Sequence, residues 1–278
     1  MYNTYVYNTG NYNNLGLAVG AGTQDGIVFN GYSLQNTSVV TQELIQDNFP
    51  SRSFDIDDVP RGDGRIYLND YWRSKRITLK GYIKKATNSL LEAEIDAFKY
   101  KMSGVQANLD IKIDGAVRRY VASCVNADVF SGRRGYHVTM IPFTLQFDCL
   151  TPFGTDTSYT VFDWLAQTAL TLEEQVENAG TAEATPIIVL NFTAASSVTA
   201  VSFANAATGE TITITENITT ADYLRIDAEN KEVTLNGVIV DYTGTFPQIN
   251  VGNNAITTII TGTSATYAQT VKFYTPYL

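Results

Sequence analysis

The 278-residue sequence predicts a mainly β protein of two domains, with one α-helix packed on the sheet of the first domain. Short segments that alternate apolar and polar residues recur along the chain, as in strands with one buried face. One clear helical pattern interrupts them in the first half. The charge balance changes near residue 155: 16 Lys and Arg stand against 15 Asp and Glu up to Gly154, and 3 against 13 from Thr155 onward. This change supports a domain boundary there.

The segment 76–122 predicts a strand, a helix and a β-hairpin in succession. Residues 77–83 alternate, with Ile77, Leu79, Gly81 and Ile83 on one face. After the helix, apolar and polar residues alternate from Leu109 to Ile113. The dipeptide Asp114-Gly115 suits a type I′ turn, so the chain is expected to return antiparallel through Val121.

The helix of this segment is expected to begin at Ser89 and end before Gly104. Ser89 and Glu92 have the spacing of a capping box. Gly104 suits the position just after a helix. Spacings of four, three and four place one set of apolar residues on a single face: Leu91, Ile95, Phe98 and Met102. We expect this face to cover the sheet of the first domain.

Two regions before this segment are poor in aliphatic alternation. Residues 1–26, rich in Tyr, Asn and Gly, predict an arm that is either flexible or ordered against a neighbouring subunit. A short strand with a turn at Asn30-Gly31 is expected over 26–34. The stretch 48–70 predicts an exposed loop. This stretch carries four carboxylates, which suggest a calcium site: Asp55, Asp57, Asp58 and Asp63. However, Pro60 and Arg61 occupy positions where an EF-hand loop needs its glycine turn and further ligands, so an exposed loop is favoured over a calcium site. The tripeptide at 61–63 resembles an integrin motif and carries little weight.

The second half predicts an antiparallel β-sandwich. Residues 136–150 predict one or two strands, and 161–176 predict a short helix inside a linker. Short segments rich in Thr, Ile and Val follow, separated by turn residues such as Asn236-Gly237. The expected strands are 187–192, 198–203, 211–215, 223–227, 232–235, 238–242, 255–261 and 268–273. The chain therefore divides into an arm (1–26), an N-terminal β domain with one helix (27–154), a linker (155–185) and a C-terminal β-sandwich (186–278).

No residue set with catalytic, cofactor-binding or metal-ligating chemistry stands out. Cys124 and Cys149 are too few for a disulfide framework and are expected to be apolar thiols on strands. His137 is the single histidine, and a zinc site would need it together with both cysteines at spacings that match no known zinc motif. The sequence has no phosphate-binding loop, zinc-protease motif or nucleophile elbow. We therefore expect a protein that is not an enzyme and has no cofactor.

Charge and hydropathy limit the partners. The acidic second half argues against sequence-specific nucleic-acid binding, because a phosphate-binding surface needs clustered bases. No apolar run approaches the length of a membrane span, and the first residues lack the pattern of a signal peptide. The expected place of synthesis is the cytoplasm.

Several motifs occur in an order that resembles the siphophage distal tail protein (Dit) family. The first is the strand RITLKGYI, followed by the helix SLLEAEIDAFKYKM and the hairpin LDIKIDGAVRRYVA. In the second half, NAGTAEATPIIV resembles the entry into the family's C-terminal domain, YLRIDAENKEVTLNG its middle hairpin, and GTFPQINVGNNAI its closing loop. Together these motifs cover most of residues 26–260.

The resemblance implies an N-terminal β-sandwich with one helix and a galectin-like C-terminal β-sandwich. It further implies a structural protein of the virion, at the distal end of the tail of a phage or prophage, assembled in the host cytoplasm. Six copies would form a ring that joins the tail tube protein to a tail-associated lysin-like hub protein, with a receptor-binding protein as a further candidate partner. The C-terminal region leaves no room for an inserted carbohydrate-binding module, so a compact scaffolding form is expected.

The main alternative is a galectin-like carbohydrate-binding module for attachment to host surfaces. Trp164, Tyr242 and Phe246 are the candidates for stacking on sugar rings, with burial in the core as the competing interpretation. The paired arginines Arg118-Arg119 and Arg133-Arg134 would be exposed strand and turn residues or would line a subunit interface.

Overall fold

The computed structural model describes residues 26–46, 50–59, 63–113, 115–129 and 139–278. They fall into two compact units. The N-terminal unit ends at Gly154 and includes Leu278, and the C-terminal unit runs from Thr155 to Tyr277. Strands dominate both, and the described residues contain one helix, so the mainly β fold class with a single helix is confirmed. The predicted arm lies outside the described residues except for Gly26.

The described residues of the N-terminal unit form nine strands and the helix. Seven strands form an antiparallel sheet in the order β2-β1-β7-β8-β9-β6-β3, and β4 pairs with β5 in a separate two-stranded sheet. The elements are β1 Gly26–Phe29, β2 Tyr32–Ser33, β3 Val39–Gln46, β4 Arg52–Asp58, β5 Arg65–Trp72, β6 Lys75–Lys84, α1 Asn88–Met102, β7 Ala107–Ile113, β8 Ala116–Val129 and β9 Met140–Cys149.

The large sheet curls around the core of this unit. Its two edge strands, β2 and β3, are separated in sequence by residues 34–38, so the two edges must lie close together. Gly81 in the middle of β6 permits tight packing on the inner face. A Cβ atom there would lie 2.2 Å from the carbonyl oxygen of Val40 and 2.7 Å from the ring of Phe143. The predicted alternation of β6 is confirmed, because Ile77, Leu79 and Ile83 are fully buried.

Helix α1 closes the core with the predicted apolar face. Leu91, Ile95, Phe98 and Met102 are all buried and belong to the same cluster as the sheet residues. Its predicted start at Ser89 is wrong. The N-cap is Thr87, whose hydroxyl accepts a hydrogen bond from the Leu90 amide. Thr87 lies two residues before Ser89, and its hydroxyl has the same capping chemistry. Thr87 is the N-cap because its backbone is extended, as the N-cap position requires.

Helix α1 is held by polar contacts with the β1–β2 hairpin and with Lys85. The Asn30 side-chain amide donates to the carbonyl of Lys101 at 3.3 Å, and its close approach leaves no space for a Cβ atom at Gly104. In the middle of the helix, the Tyr32 hydroxyl donates to Glu94 at 2.5 Å, and Lys85 pairs with the same carboxylate at 2.8 Å. Burial raises the pKa of Glu94, but the hydrogen bonds from Lys85 and Tyr32 outweigh it and hold the pKa below its usual value.

The C-terminal unit is a β-sandwich of two antiparallel sheets. One has the order β17-β16-β15-β12-β20-β10, and the other the order β11-β19-β13-β14-β18. Residues from both sheets, including Leu190, Val271, Phe203 and Ile256, share one core. The strands are β10 Gly154–Gln167, β11 Thr171–Asn178, β12 Ile187–Ser196, β13 Ala200–Asn205, β14 Glu210–Ile214, β15 Tyr223–Asp227, β16 Glu232–Leu235, β17 Val238–Ile239, β18 Thr243–Gly244, β19 Gly252–Thr261 and β20 Ser264–Tyr277.

The predicted helix at 161–176, inside the predicted linker 155–185, is wrong. Strands β10 and β11 occupy most of this segment. The error has a geometric cause, since residues four apart share a face in a strand as well as in a helix. Leu172 and Val176 are both buried in the core from β11, which pairs with β19 along its whole length. The segment is therefore part of the sandwich rather than a connection to it.

Three buried asparagines support the loop 245–251, which connects β18 to β19. The exposed fractions are 1% for Asn178, 1% for Asn205 and 0% for Asn254, so all three are buried. The Asn254 amide donates to the carbonyls of Val176, Asn250 and Gly252, and its oxygen accepts from the Asn250 amide. Asn205 donates to Asn254, and Asn178 donates to the carbonyl of Ile249. These side chains replace the backbone partners that an irregular loop lacks.

Candidate interaction surfaces

The two-stranded sheet β4–β5 replaces the exposed loop expected at 48–70, so that prediction is wrong. Its strands pair from Arg52 opposite Trp72 to Asp58 opposite Arg65, with a bulge between Asp55 and Ile56. In the described part of the chain neither strand pairs with any other. Two-stranded sheets are marginal in water unless a further surface covers them. The hairpin is therefore a candidate contact surface.

One face of this hairpin is aromatic and exposed. Phe54 and Ile56 are two residues apart on β4, and Ile56 lies opposite Tyr67 on β5. The Phe54 and Tyr67 ring centroids are 6.5 Å apart. The exposed fractions are 57% for Phe54, 45% for Ile56 and 55% for Tyr67. We call these three residues the hairpin patch; such a contiguous apolar surface is typical of an interaction site.

Polar contacts on the same face hold the hairpin patch in place. Arg52 forms an ion pair with Asp70, and its guanidinium lies 4.8 Å from the centroid of the Trp72 ring. Tyr67 donates its hydroxyl hydrogen to the same Asp70 carboxylate. These contacts tie β4 to β5 at the base of the hairpin and order the patch before any partner binds.

The carboxylates of β4 are distributed over two faces. Asp55 and Asp57 lie on the face opposite the hairpin patch, whereas Asp58 lies on the patch side and pairs with Arg65 at 3.1 Å. Strand geometry thus separates side chains that a metal site would need to bring together. The described residues contain no group of three or more His, Cys, Asp or Glu side chains that could hold a metal ion.

A second exposed apolar surface lies on the outer face of α1. Leu90, Ala93, Ala97 and Tyr100 follow one another at spacings of three, four and three, which aligns them on one side of the helix. This side is opposite the buried face. Leu90 is 54% exposed and Tyr100 is 76% exposed. We call these four residues the helix stripe.

Other candidates from the sequence have structural roles or lie outside the described residues. Arg119 is neutralised by Asp110 on the neighbouring strand, through two hydrogen bonds of 2.7 and 2.8 Å. Arg118 is partly buried. His137, Arg133, Arg134 and Arg61 lie outside the described residues.

The two cysteines lie on β8 and β9, in the N-terminal unit. Burial raises the pKa of Cys124 to about 11 and that of Cys149 to about 12, so both thiols stay protonated at neutral pH. A protonated thiol is a poor nucleophile. Neither cysteine has the environment of a reactive group.

The three aromatic residues considered for sugar stacking do not form a shared surface. Phe246 is buried in the core of the C-terminal unit, and Trp164 packs against that core beside Phe162. Tyr242 is 39% exposed and meets Phe246 edge to face, with ring centroids 4.8 Å apart. One exposed ring out of three candidates does not support a stacking platform.

Sequence reasoning missed the hairpin patch, although a signal was present. The segment 65–72 (RIYLNDYW) is rich in aromatic and β-branched residues, which favour strands. Pro, Gly and Asp in the preceding residues dominated the interpretation and favoured a loop. The helix stripe was also missed, because the stronger apolar face of α1 accounted for the helical pattern.

Comparison with known proteins identifies part of the chain. Residues 179–277 match the family model described as a siphovirus-type tail component, C-terminal domain. These residues are similar in sequence to that tail-component domain. Among solved structures, the crystal structure of the Dit (gp 19.1) protein of phage SPP1 matches with a TM-score of 0.66 and 15% identity, covering 91% of this chain and 99% of that one. The fold is therefore Dit-like, and the predicted resemblance to the distal tail family is confirmed.

A second solved structure is less similar to this chain. A chain of the phage P2 baseplate, in its activated conformation with Ca, matches over 89% of this chain and 97% of that chain, at 10% identity and a TM-score of 0.45. No curated protein matches. None of the described residues forms a helix long and apolar enough to cross a membrane. The galectin-like character of the C-terminal sandwich stays a prediction.

Proposed function

We propose that this chain is a structural hub protein at the distal end of a siphovirus-type phage or prophage tail. Six copies close into a ring that joins the tail tube to the tail-tip hub. The match of residues 179–277 to a tail-component family supports this role. So does the Dit-like fold, because the SPP1 protein with that fold is described as a hub of the adsorption apparatus in phages that infect Gram-positive bacteria. We propose no enzymatic activity.

The observation that carries the ring assembly is the unpartnered hairpin patch. It is ordered by the contacts of Arg52 and Asp70, yet it packs on no other strand of the described chain. A patch used between identical copies must meet a different surface on the neighbour if the assembly is to close by rotation. Since each copy has one hairpin, each interface between adjacent copies would contain one hairpin.

The chemistry of the chain fits a scaffold that contacts proteins. Candidate partners are the tail tube protein on one side of the ring, a tail-associated lysin-like hub protein on the other, and a receptor-binding protein. The net charge of −9 disfavours binding to DNA phosphates, although DNA must pass through such a ring. Assembly takes place in the host cytoplasm, and the final location is the virion tail.

The compact form proposed for the C-terminal domain has support from chain length. The SPP1 Dit structure is covered over 99% of its length, and 91% of this chain takes part in the match. Little sequence remains for an inserted carbohydrate-binding module. The domain would therefore serve as a projecting scaffold rather than as the receptor-binding element itself.

Native mass spectrometry of the purified full chain, with negative-stain electron microscopy of the same sample, tests this proposal. We expect a closed ring of six copies with a central hole. Mixing with the tube and hub proteins of the same genome should yield a co-migrating complex. A chain that stays monomeric at high micromolar concentration, both alone and with those partners, would overturn the proposal.

A further inference from the structure

Two apolar surfaces of the N-terminal unit are exposed among the described residues, and the elements that carry them have comparable lengths. The helix stripe extends from Leu90 to Tyr100, ten steps along the helix, which is about 15 Å at a rise of 1.5 Å per residue. The patch side of β4 extends from Arg52 to Asp58, which is about 20 Å at 3.3 Å per residue. A strand pair can therefore lie along the helix and cover both surfaces.

The shapes of the two surfaces also fit each other. The stripe has large side chains at its two ends, Leu90 and Tyr100, and small ones in the middle, Ala93 and Ala97. The patch is bulky in its centre, where the rings of Phe54 and Tyr67 lie diagonally across the two strands, 6.5 Å apart. The aromatic rings of the patch can pack over the small side chains of Ala93 and Ala97. This packing would exclude water from both surfaces without steric overlap.

The polar rims are compatible in sign. Helical geometry places Asp96 on one side of the stripe and Lys101 on the other. The far end of the patch carries both Asp58 and Arg65, with side-chain exposures of 84% and 67%. Asp58 and Arg65 pair with each other within one copy, and both stay exposed enough to be shared with Lys101 and Asp96 of the neighbour, so the rims do not repel each other.

We infer that the hairpin patch of one copy docks on the helix stripe of the next copy in the ring. The inference rests on the proposed ring and assigns its two mating surfaces. The hairpin reaches out from one copy, and the helix receives it on the neighbour, so the contact is head-to-tail and can propagate around a closed assembly. A contact between two helix stripes, or between two hairpins, would instead be two-fold and would stop at a dimer.

Disulfide trapping distinguishes these geometries. The double variant Ile56→Cys/Ala97→Cys places one thiol on each surface, at positions exposed in a single copy. Under mild oxidation we expect a ladder on non-reducing gels that ends at the size of the intact ring. Each single variant should give no cross-linked species. The native cysteines do not interfere, because burial keeps their thiols protonated, and the wild-type chain controls for them.

The matched control is Asp57→Cys/Ala97→Cys. Residue 57 is the neighbour of residue 56 but lies on the opposite face of the hairpin. This control should lose at least nine-tenths of the ladder. Equal ladders in both double variants, or dimers in the Ala97→Cys single variant, would overturn the assigned pairing.

The ring and the pairing fail in different ways. If the wild-type chain forms rings and the Ile56→Cys/Ala97→Cys variant also forms rings without cross-linking, the pairing is wrong and the proposed function stands. If native mass spectrometry of the wild type shows no ring even with the tail partners, the proposed function fails before any cysteine is introduced, and the pairing fails with it.

Discussion

At the scale of single residues, Asp227 shows how a turn can depend on one buried carboxylate. It is 1% exposed at the end of β15, and its oxygens accept from the amides of Glu229 and Asn230 and from the Asn230 side chain. Arg225 contributes an ion pair. Burial raises the pKa of Asp227, but the hydrogen bonds of Asn230 and the charge of Arg225 outweigh it and hold the pKa below its usual value.

Replacing Asp227 by Asn should destabilise the C-terminal unit in a pH-dependent way. At pH 7 we expect a loss of about 1–3 kcal/mol, because three donors and a guanidinium lose a charged acceptor. A carboxyl with a lowered folded-state pKa contributes stability above its unfolded pKa of about 3.9, and this contribution disappears as the pH falls through the folded value. We expect urea unfolding to show a smaller difference in the free energy of unfolding between variant and wild type near pH 3 than at pH 7.

The matched control for this prediction is Glu229→Gln. Glu229 lies two residues further along the same turn and is exposed. Its neutralisation should leave the unfolding free energy within about 0.5 kcal/mol at both pH values. A gap for Asp227→Asn that keeps its size from pH 7 to pH 3 would show that the carboxylate charge contributes nothing.

At the scale of secondary-structure elements, exposed side chains of the hairpin β4–β5 can be replaced to test ring assembly without a large change in the free energy of unfolding. Phe54 and Ile56 are 57% and 45% exposed, so their double substitution by Ser should change the free energy of unfolding by less than about 1 kcal/mol. The same substitution removes the β4 side chains of the patch. We expect it to convert the ring to monomers or short open chains in native mass spectrometry.

An equivalent change on the opposite face of the hairpin controls for this prediction. Ile66→Ser/Tyr71→Ser likewise removes one aliphatic and one aromatic side chain, here from the opposite face of β5, and these two residues are 46% and 55% exposed. They do not belong to the hairpin patch, so this variant should still form rings. Loss of the ring in both variants, or in neither, would mean that the hairpin patch is not the interface.

Elements with one-sided burial were predictable from the sequence, and those without it were not. The alternation of β6 and the buried face of α1 follow from the contrast between core and solvent. The turn at Asn236-Gly237 follows from its left-handed backbone, with φ of 53° and 81°. β4 and β5 are exposed on both faces, so their sequence carries no burial contrast. In β11 the contrast exists, but Leu172 and Val176 fit both periods.

At the scale of the whole molecule, the domain boundary and the extent of the family match differ. The family match begins at residue 179, whereas the C-terminal unit begins at Thr155. The difference comprises most of β10 and all of β11. β11 pairs with β19 through eight residue pairs and contributes Val176, which is fully buried, to the core. The folding unit is therefore larger than the matched domain.

Two fragments test which boundary is physical. The fragment 155–277 retains both sheets and its core, so we expect a soluble monomer with cooperative thermal unfolding by circular dichroism. The fragment 179–277 loses the buried side chains of Leu172 and Val176, worth about 1.5–3 kcal/mol each. It also leaves β19 and β20 as unpaired edges, which favours aggregation. We expect it to be insoluble or to unfold without a sharp transition. Equal thermal stability of the two fragments would show that β10 and β11 are dispensable additions to the sandwich.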